Sequence, residues 1–253
     1  MTRRGKSRHQ KRLAAPKYWP IKRKEHKFAV ASRPGPHSVK NSIPLIIAIR
    51  DILNLCKTRK EAKYIITEGN VVVDGRVRKD PRYYVGLMDV LEIPKLNKCY
   101  RILPIPLHGL ILHEIEEDEK DFKLCRIENK TTLKKGRIQL NLHDGRNIII
   151  DVKDPENPIE DVYKTQDVLK IAIPSQEILE HLKFDEDVLA IIIAGKNLGY
   201  VGKIINIERS EGPFQNIIKM QSKDEELQTA LEYAFMIGIE KPLISLPEKR
   251  QGL

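Results

Sequence analysis

The sequence predicts a multidomain α+β protein. An extended basic N-terminal arm leads into a small two-helix-plus-hairpin domain, a β-rich middle domain and a small closed β-barrel. Three observations predict this layout. The chain of 253 residues is long enough for two or three small cores rather than one. Its apolar pattern changes character near residues 105 and 173. Its charge is polarised: residues 1–40 carry thirteen Lys or Arg against one acid, residues 41–105 twelve against seven, and the rest of the chain is net acidic. Taken together these set segments at 1–42, 43–105, 106–172 and 173–253.

The first segment reads as an arm. Arg3, Arg4, Lys6, Arg8, Lys11, Arg12, Lys17, Lys22, Arg23 and Arg33 recur without an apolar period. Such a stretch buries too little apolar surface to fold alone. On a polyanion its charge would be neutralised with release of counterions, which makes affinity steeply salt-dependent. Tyr18-Trp19 lies among these cations, placed either to stack on a base or to pack on the neighbouring domain. Ser32 to His37 reads as a stiff linker because Pro34 and Pro36 fix its backbone.

The second segment is organised around Thr58 to Val77. Thr58 and Glu61 have the spacing of a capping box, in which each side chain satisfies a backbone N–H left unpaired by the first helical turn. Ala62, Ile65 and Ile66 form an apolar stripe at helical spacing, and Gly69 can end the helix in a left-handed conformation. Val71 and Val73 then alternate with polar positions, and Asp74-Gly75 is a two-residue hairpin signal. A preceding helix is predicted with Ser42 as its N-cap, Pro44 in its first turn and Ile46, Ile49, Ile52 and Leu53 on its buried face. Lys57, Arg59, Lys60 and Lys63 surround the start of the second helix, and Arg76, Arg78 and Lys79 follow the hairpin turn. A compact helical unit with a basic rim fits a phosphate backbone.

The third segment reads as short strands at Phe122–Glu128, Ile138–Leu142, Asn147–Val152 and Val168–Ile173, with a turn at Asp144-Gly145. In the fourth, Val188–Ala194 reads as a buried strand. The Gly-spaced loop Gly195–Gly202 follows it, and further strands are read at Lys203–Glu208, Asn216–Met220 and Tyr233–Ile237.

Much familiar chemistry is missing. The P-loop pattern, the dinucleotide pattern and Gly-x-Ser-x-Gly do not occur, so no cofactor and no small-molecule substrate are expected. Cys56, Cys99 and Cys125 lie far apart and read as free thiols in a reducing compartment. The seven histidines show no zinc spacing, so no metal is expected, and they read as surface or RNA-contacting groups. No apolar run is long enough to span a membrane, and Pro16 and Pro20 would break an amphipathic transit helix. A cytoplasmic protein is expected.

Three resemblances sharpen this reading. Arg50-Asp51, Thr58-Arg59, Ala62, Ile65, Gly69, Val71, Val73, Asp74-Gly75, Val77, Pro81, Tyr83 and Met88-Asp89-Val90 resemble the RNA-binding domain named after ribosomal protein S-four, over residues 43–105. That family often has Gly-Asp where Met88-Asp89 stands. The opening Leu13-Ala14-Ala15-Pro16-Lys17-Tyr18-Trp19, Arg33-Pro34-Gly35-Pro36-His37 and Ser42-Ile43-Pro44-Leu45 is similar to the eukaryotic and archaeal version of small-subunit ribosomal protein S-four. The Gly195–Gly202 region resembles a KOW module of SH3-like barrel type. Gly199 and Gly202 match best, Ala194 stands where glycine is usual and Tyr200 where arginine is frequent.

Those resemblances imply a structural protein of the small ribosomal subunit in the cytoplasm, of archaeal rather than eukaryotic type. Its partners would be small-subunit rRNA and neighbouring ribosomal proteins. The rivals are an rRNA-modifying enzyme of pseudouridine synthase type and a KOW-type elongation factor. The first would need Gly-Arg-Leu-Asp where Asp144-Gly145-Arg146-Asn147 stands. The second would need neither the arm nor the middle domain.

Overall fold

A computed structural model describes residues 9–31, 33, 35–152, 159–209, 216–222 and 225–247, the side chains of Lys40 and Lys135 excepted. The chain forms two compact units. One takes in the residues up to Ile102 together with Leu110–Glu114, and the other takes in Leu103–Gly109 and the residues from Ile115 on.

In the first unit, β1 (Gln10–Lys11) pairs antiparallel with β2 (Phe28–Ala29). Between them the chain turns inward. Trp19 is only 2% exposed and its indole N–H donates to the Ser42 carbonyl at 3.0 Å. The Tyr18 hydroxyl accepts from the Ser42 N–H at 3.0 Å and lies 2.9 Å from the Val39 carbonyl, and burial pushes this phenol up to about 12. Ala15, Trp19, Ile21 and Val30 share one core with Ile43, Leu45 and Ile66. The extended-arm expectation is therefore corrected for residues 9–31. The few apolar residues among the cations cannot make a core of their own, but they complete that of the neighbouring domain.

β3 (Ser42–Pro44) is followed by α1 (Leu45–Ile47), which continues into a π-helical turn over Ala48–Ile52. Here too the sequence expectation needs correction. Ser42 does not cap a helix; its hydroxyl donates to the Ser38 carbonyl, and Pro44 stands at the N-cap with extended backbone. The helix is short and wound wide at its end, where the Leu53 N–H reaches back to the Ala48 carbonyl. Leu45 to Ile49 are all buried, so this element is core on every side.

α2 (Arg59–Thr67) leads into β4 (Val72–Val73) and β5 (Arg76–Val77). β6 (Tyr84–Gly86) pairs with β3, and β7 (Val90–Ile93), β8 (Lys98–Ile105) and β9 (Gly109–Ile115) complete a sheet in the order β5-β4-β7-β8-β9. The strands of the β4–β5 hairpin face the rest of the sheet through β4 alone, with Val72 opposite Glu92 and Val73 opposite Leu91.

The second unit carries two further five-stranded antiparallel sheets. β10 (Phe122–Thr132), β11 (Ile138–Leu142), β12 (Asn147–Ile150), β13 (Val168–Ala172) and β14 (Ile178–Leu182) lie in the order β12-β11-β10-β13-β14. Cys125, Ile127, Leu140, Leu169 and Ile171 form their core. Strand β14 was not foreseen: residues 178–182 pair with β13, so this sheet extends past residue 173. β15 (Leu189–Ile192), β16 (Val201–Glu208), β17 (Ile217–Ser222), β18 (Glu225–Ala230) and β19 (Ala234–Gly238) follow in the order β18-β17-β16-β15-β19. Gly199 has φ 79°, and a Cβ there would lie 2.5 Å from the Ile105 carbonyl carbon. A Cβ on Gly202 would lie 2.5 Å from the Gln221 carbonyl oxygen. Both glycines are thus required by close backbone approach.

Candidate nucleic-acid interface

The basic rim is built on α2 and the hairpin behind it. The capping box forms as the spacing requires: the Thr58 hydroxyl accepts from the Glu61 N–H at 3.3 Å, and the Glu61 carboxylate accepts from the N–H groups of Thr58 at 3.2 Å and Lys57 at 3.0 Å. Those hydrogen bonds, with Thr58 first, hold the Glu61 carboxyl below its ordinary range. The cap fixes where the helix starts and therefore where Lys57 and Arg59 leave the backbone.

Ala62 and Ile66 are buried, Ile65 is half-buried, and Lys60, Lys63 and Tyr64 are exposed. Gly69 ends the helix at φ 80°, and a Cβ there would stand 3.1 Å from Val77 and 3.5 Å from the Lys79 side chain. The hairpin is thereby folded close against the end of the helix. Asp74 and Gly75 have φ of 49° and 68°, the pair of left-handed residues that a type I′ turn needs. The buried Asp74 carboxylate accepts from the Val90 N–H at 3.0 Å and fastens the turn to β7.

The predicted residues divide into groups. Lys57, Arg59, Lys60, Lys63, Arg76 and Lys79 are exposed, and none of these six forms an ion pair with a described residue. Lys11, Lys17 and Lys22 are also exposed. Arg33 is exposed but pairs with Asp80 at 3.1 Å. The Arg78 guanidinium is half-buried, 4.4 Å from the centre of the Tyr83 ring, which fixes it in place. Arg23 is committed internally: it donates to the Ala15 carbonyl at 3.0 Å and the Pro16 carbonyl at 2.8 Å. Arg12 is buried, contrary to its reading as an exposed arm cation. Arg3, Arg4, Lys6 and Arg8 lie outside the described residues.

Sequence reasoning missed Tyr64, an aromatic side chain 65% exposed. Its signal was available: it stands four residues after Lys60, on the face opposite the apolar stripe. The histidine reading also needs correction at two positions. His37 is buried and its Nε2 lies 2.9 Å from the Asp89 carboxylate, and His181 lies 2.7 Å from Asp167. Both serve the interior.

One cluster tests the expectation of no metal. Cys125, His143 and Asp144 bring three ligand atoms within 4.8 Å of one another. The Asp144 carboxylate already receives Lys123 Nζ at 3.0 Å and Arg146 Nε at 3.1 Å. Two cations at that carboxylate oppose a third, so the cluster reads as a buried ion pair.

Comparison with known proteins matches three stretches of the chain to family models. The model of Ribosomal family S4e matches residues 96–178, that of the RS4NT (NUC023) domain residues 4–40, and that of the S4 domain residues 51–91. The chain is 53% identical to the small ribosomal subunit protein eS4 of Desulfurococcus amylolyticus over 245 residues, covering 96% of this chain and 97% of that protein. It is 51% identical to the eS4 protein of Staphylothermus marinus, covering 98% and 99%. The crystal structure of the 30S ribosomal protein S4e from Thermoplasma acidophilum is similar with a TM-score of 0.65 at 32% identity, over 78% of this chain and 95% of that one.

Proposed function

The chain belongs to ribosomal family S4e, and from that premise we propose that it is a structural constituent of the small ribosomal subunit that binds and stabilises small-subunit rRNA through α2 and the β4–β5 hairpin. It is not an enzyme, and the modifying-enzyme and elongation-factor alternatives have no support in its relatives. The observation that carries the placement of the RNA is the set of six exposed cations without ion-pair partners among the described residues: Lys57, Arg59, Lys60, Lys63, Arg76 and Lys79. In the same unit Arg33, Arg50 and Lys98 have carboxylate partners, and Lys11, Lys17 and Lys22 of the preceding segment are likewise exposed without an ion-pair partner among the described residues. A concentration of unmatched positive charge on a rigid, capped helix is suited to a polyanion.

A-form RNA hides its base edges in a deep narrow groove, so shape and backbone carry the recognition. Tyr64, four residues after Lys60 and next to Lys63, adds an exposed flat surface on which an unpaired base can stack. Lys11, Lys17, Lys22 and Arg33 are further exposed cations of the preceding segment, and Arg3, Arg4, Lys6 and Arg8 add positive charge to the same stretch of sequence. The five-stranded sheet β15–β19 is read as the KOW-type module, with Gly199 and Gly202 serving the backbone rather than the RNA. The net acidic later segments suit neighbouring proteins better than phosphates. The test is the double variant Arg59→Ala, Lys63→Ala. It should bind several small-subunit rRNA fragments more weakly by a similar factor, since phosphate contacts carry no sequence information. A loss confined to one fragment would contradict this placement.

A further inference from the structure

A cavity of about 390 Å³ opens in the first unit where β1 and β2 face the start of α2. Its polar lining is Arg12, His26, Arg50, Lys57, Thr58 and Arg59, over an apolar floor that includes Ile21, Val30 and Ile47. Among the described residues, no aspartate or glutamate lines it. Its size lies within the range of roughly 300–1,000 Å³ typical of ligand sites.

Arg12 is the unusual member. It is only 6% exposed, and its Nε is buried without a hydrogen-bond partner. No carboxylate or carbonyl among the described residues accepts from its guanidinium, whereas Arg23 of the same segment is held by three backbone carbonyls. Arg50 has its own partner in Asp51 at 2.7 Å, and Glu61 is committed to the helix cap. Burying a guanidinium without an anion is costly, and the neighbouring Lys57 and Arg59 raise that cost by repulsion. The described residues supply no counter-charge for Arg12.

We propose that this cavity is a binding site for one phosphate group, in which Arg12 forms the base, Lys57 and Arg59 form the rim, and the Thr58 hydroxyl proton is available to donate. A guanidinium fork with flanking cations and a hydroxyl matches a tetrahedral oxyanion. The occupant is a phosphodiester of the RNA that lies on α2, an assignment that rests on the rRNA reading above. Folding of residues 9–31 onto the domain then has a functional consequence: the segment and the helix start make one site that neither makes alone.

The test uses the full chain, Arg12→Met, and Lys60→Ala, an exposed cation of α2 that does not line the cavity. Melting is followed in millimolar inorganic phosphate against chloride of equal ionic strength, and binding is measured with a small-subunit rRNA fragment. Phosphate should raise the melting temperature of the wild type and of Lys60→Ala, but not of Arg12→Met. In chloride, Arg12→Met should be at least as stable as the wild type, because an apolar side chain of similar volume replaces an unpaired buried charge. Its RNA affinity should fall about tenfold, the loss of one charge-assisted contact. Should Arg12→Met not fold, the exposed Arg59→Ala takes its place, again with loss of phosphate protection expected.

If Arg12→Met loses phosphate protection but keeps full RNA affinity, the site stands and its occupant is a free phosphate or nucleotide. If Lys60→Ala also keeps full affinity, it is the rRNA reading that fails. Equal phosphate protection in wild type and Arg12→Met, or no protection in either, would overturn the site.

Discussion

Met88 is fully buried and has φ 64°, a conformation that side chains rarely adopt. It stands beside Asp89, whose carboxylate accepts from the Gly86 N–H at 2.8 Å and faces His37. The resembled domain often has glycine at this position, and the backbone shows why. Replacing Met88 by glycine would relieve roughly 1–2 kcal/mol of strain but forfeit burial of a large side chain, worth about 2–5 kcal/mol. Burial wins, so Met88→Gly should lower stability by about 1–3 kcal/mol in urea unfolding. Gly86 is constrained differently: a Cβ there would collide with the His37 ring.

Asp144 gives a pH dependence. Burial alone would raise its pKa, but Lys123, His143 and Arg146 more than reverse this and hold the carboxyl at about 2, against 3.8 ordinarily. A carboxyl depressed in the folded state contributes stability that is complete above its unfolded value and is lost as pH falls through the folded one. The second unit should therefore weaken between about pH 4 and pH 2. Asp144→Asn should flatten that window. At neutral pH it should cost about 3–5 kcal/mol, because the buried Lys123 loses the carboxylate that faces it at 3.0 Å. Melting curves of both proteins across this range check the prediction.

At the scale of elements, α2 and the hairpin were legible because their signals are local. A capping box, an apolar stripe, Gly69 and Asp74-Gly75 each specify backbone within a few residues of themselves. Thr58→Ala should cost about 1 kcal/mol of stability by freeing the Glu61 N–H. Other elements were set by contacts distant in sequence. Pro44 is compatible with a helix start and with a strand end, and pairing of β3 with β6 decided between them. Trp19 was open between base stacking and core packing until its partners were seen. With the indole buried against the Ser42 carbonyl, Trp19→Ala should destabilise the first unit by about 3–5 kcal/mol, read from a thermal or urea melt without RNA. Strand β14 escaped notice because it is short and Glu180 and His181 interrupt its apolar residues, as an edge strand facing water is expected to show.

For the whole molecule, the charge gradient pointed to a polyanion before any element was placed, and the six unmatched cations of α2 and the hairpin are where that gradient meets a rigid surface. What composition could not show is that residues 9–31 are both cationic and part of a core. Deleting residues 1–40 would remove Trp19, Ile21 and Val30 along with the arm's charge, so the truncated protein should melt well below the intact one and is no clean probe of binding. Charge substitutions at exposed positions are. The most direct measurement is a salt titration of intact-chain binding to small-subunit rRNA, with wild type beside Lys57→Ala, Arg59→Ala, Lys60→Ala, Lys63→Ala combined. The slope of log affinity against log salt should become shallower by roughly 2–4 in the quadruple variant, as several phosphate contacts disappear. An unchanged slope would place the RNA on some other surface and contradict the central claim.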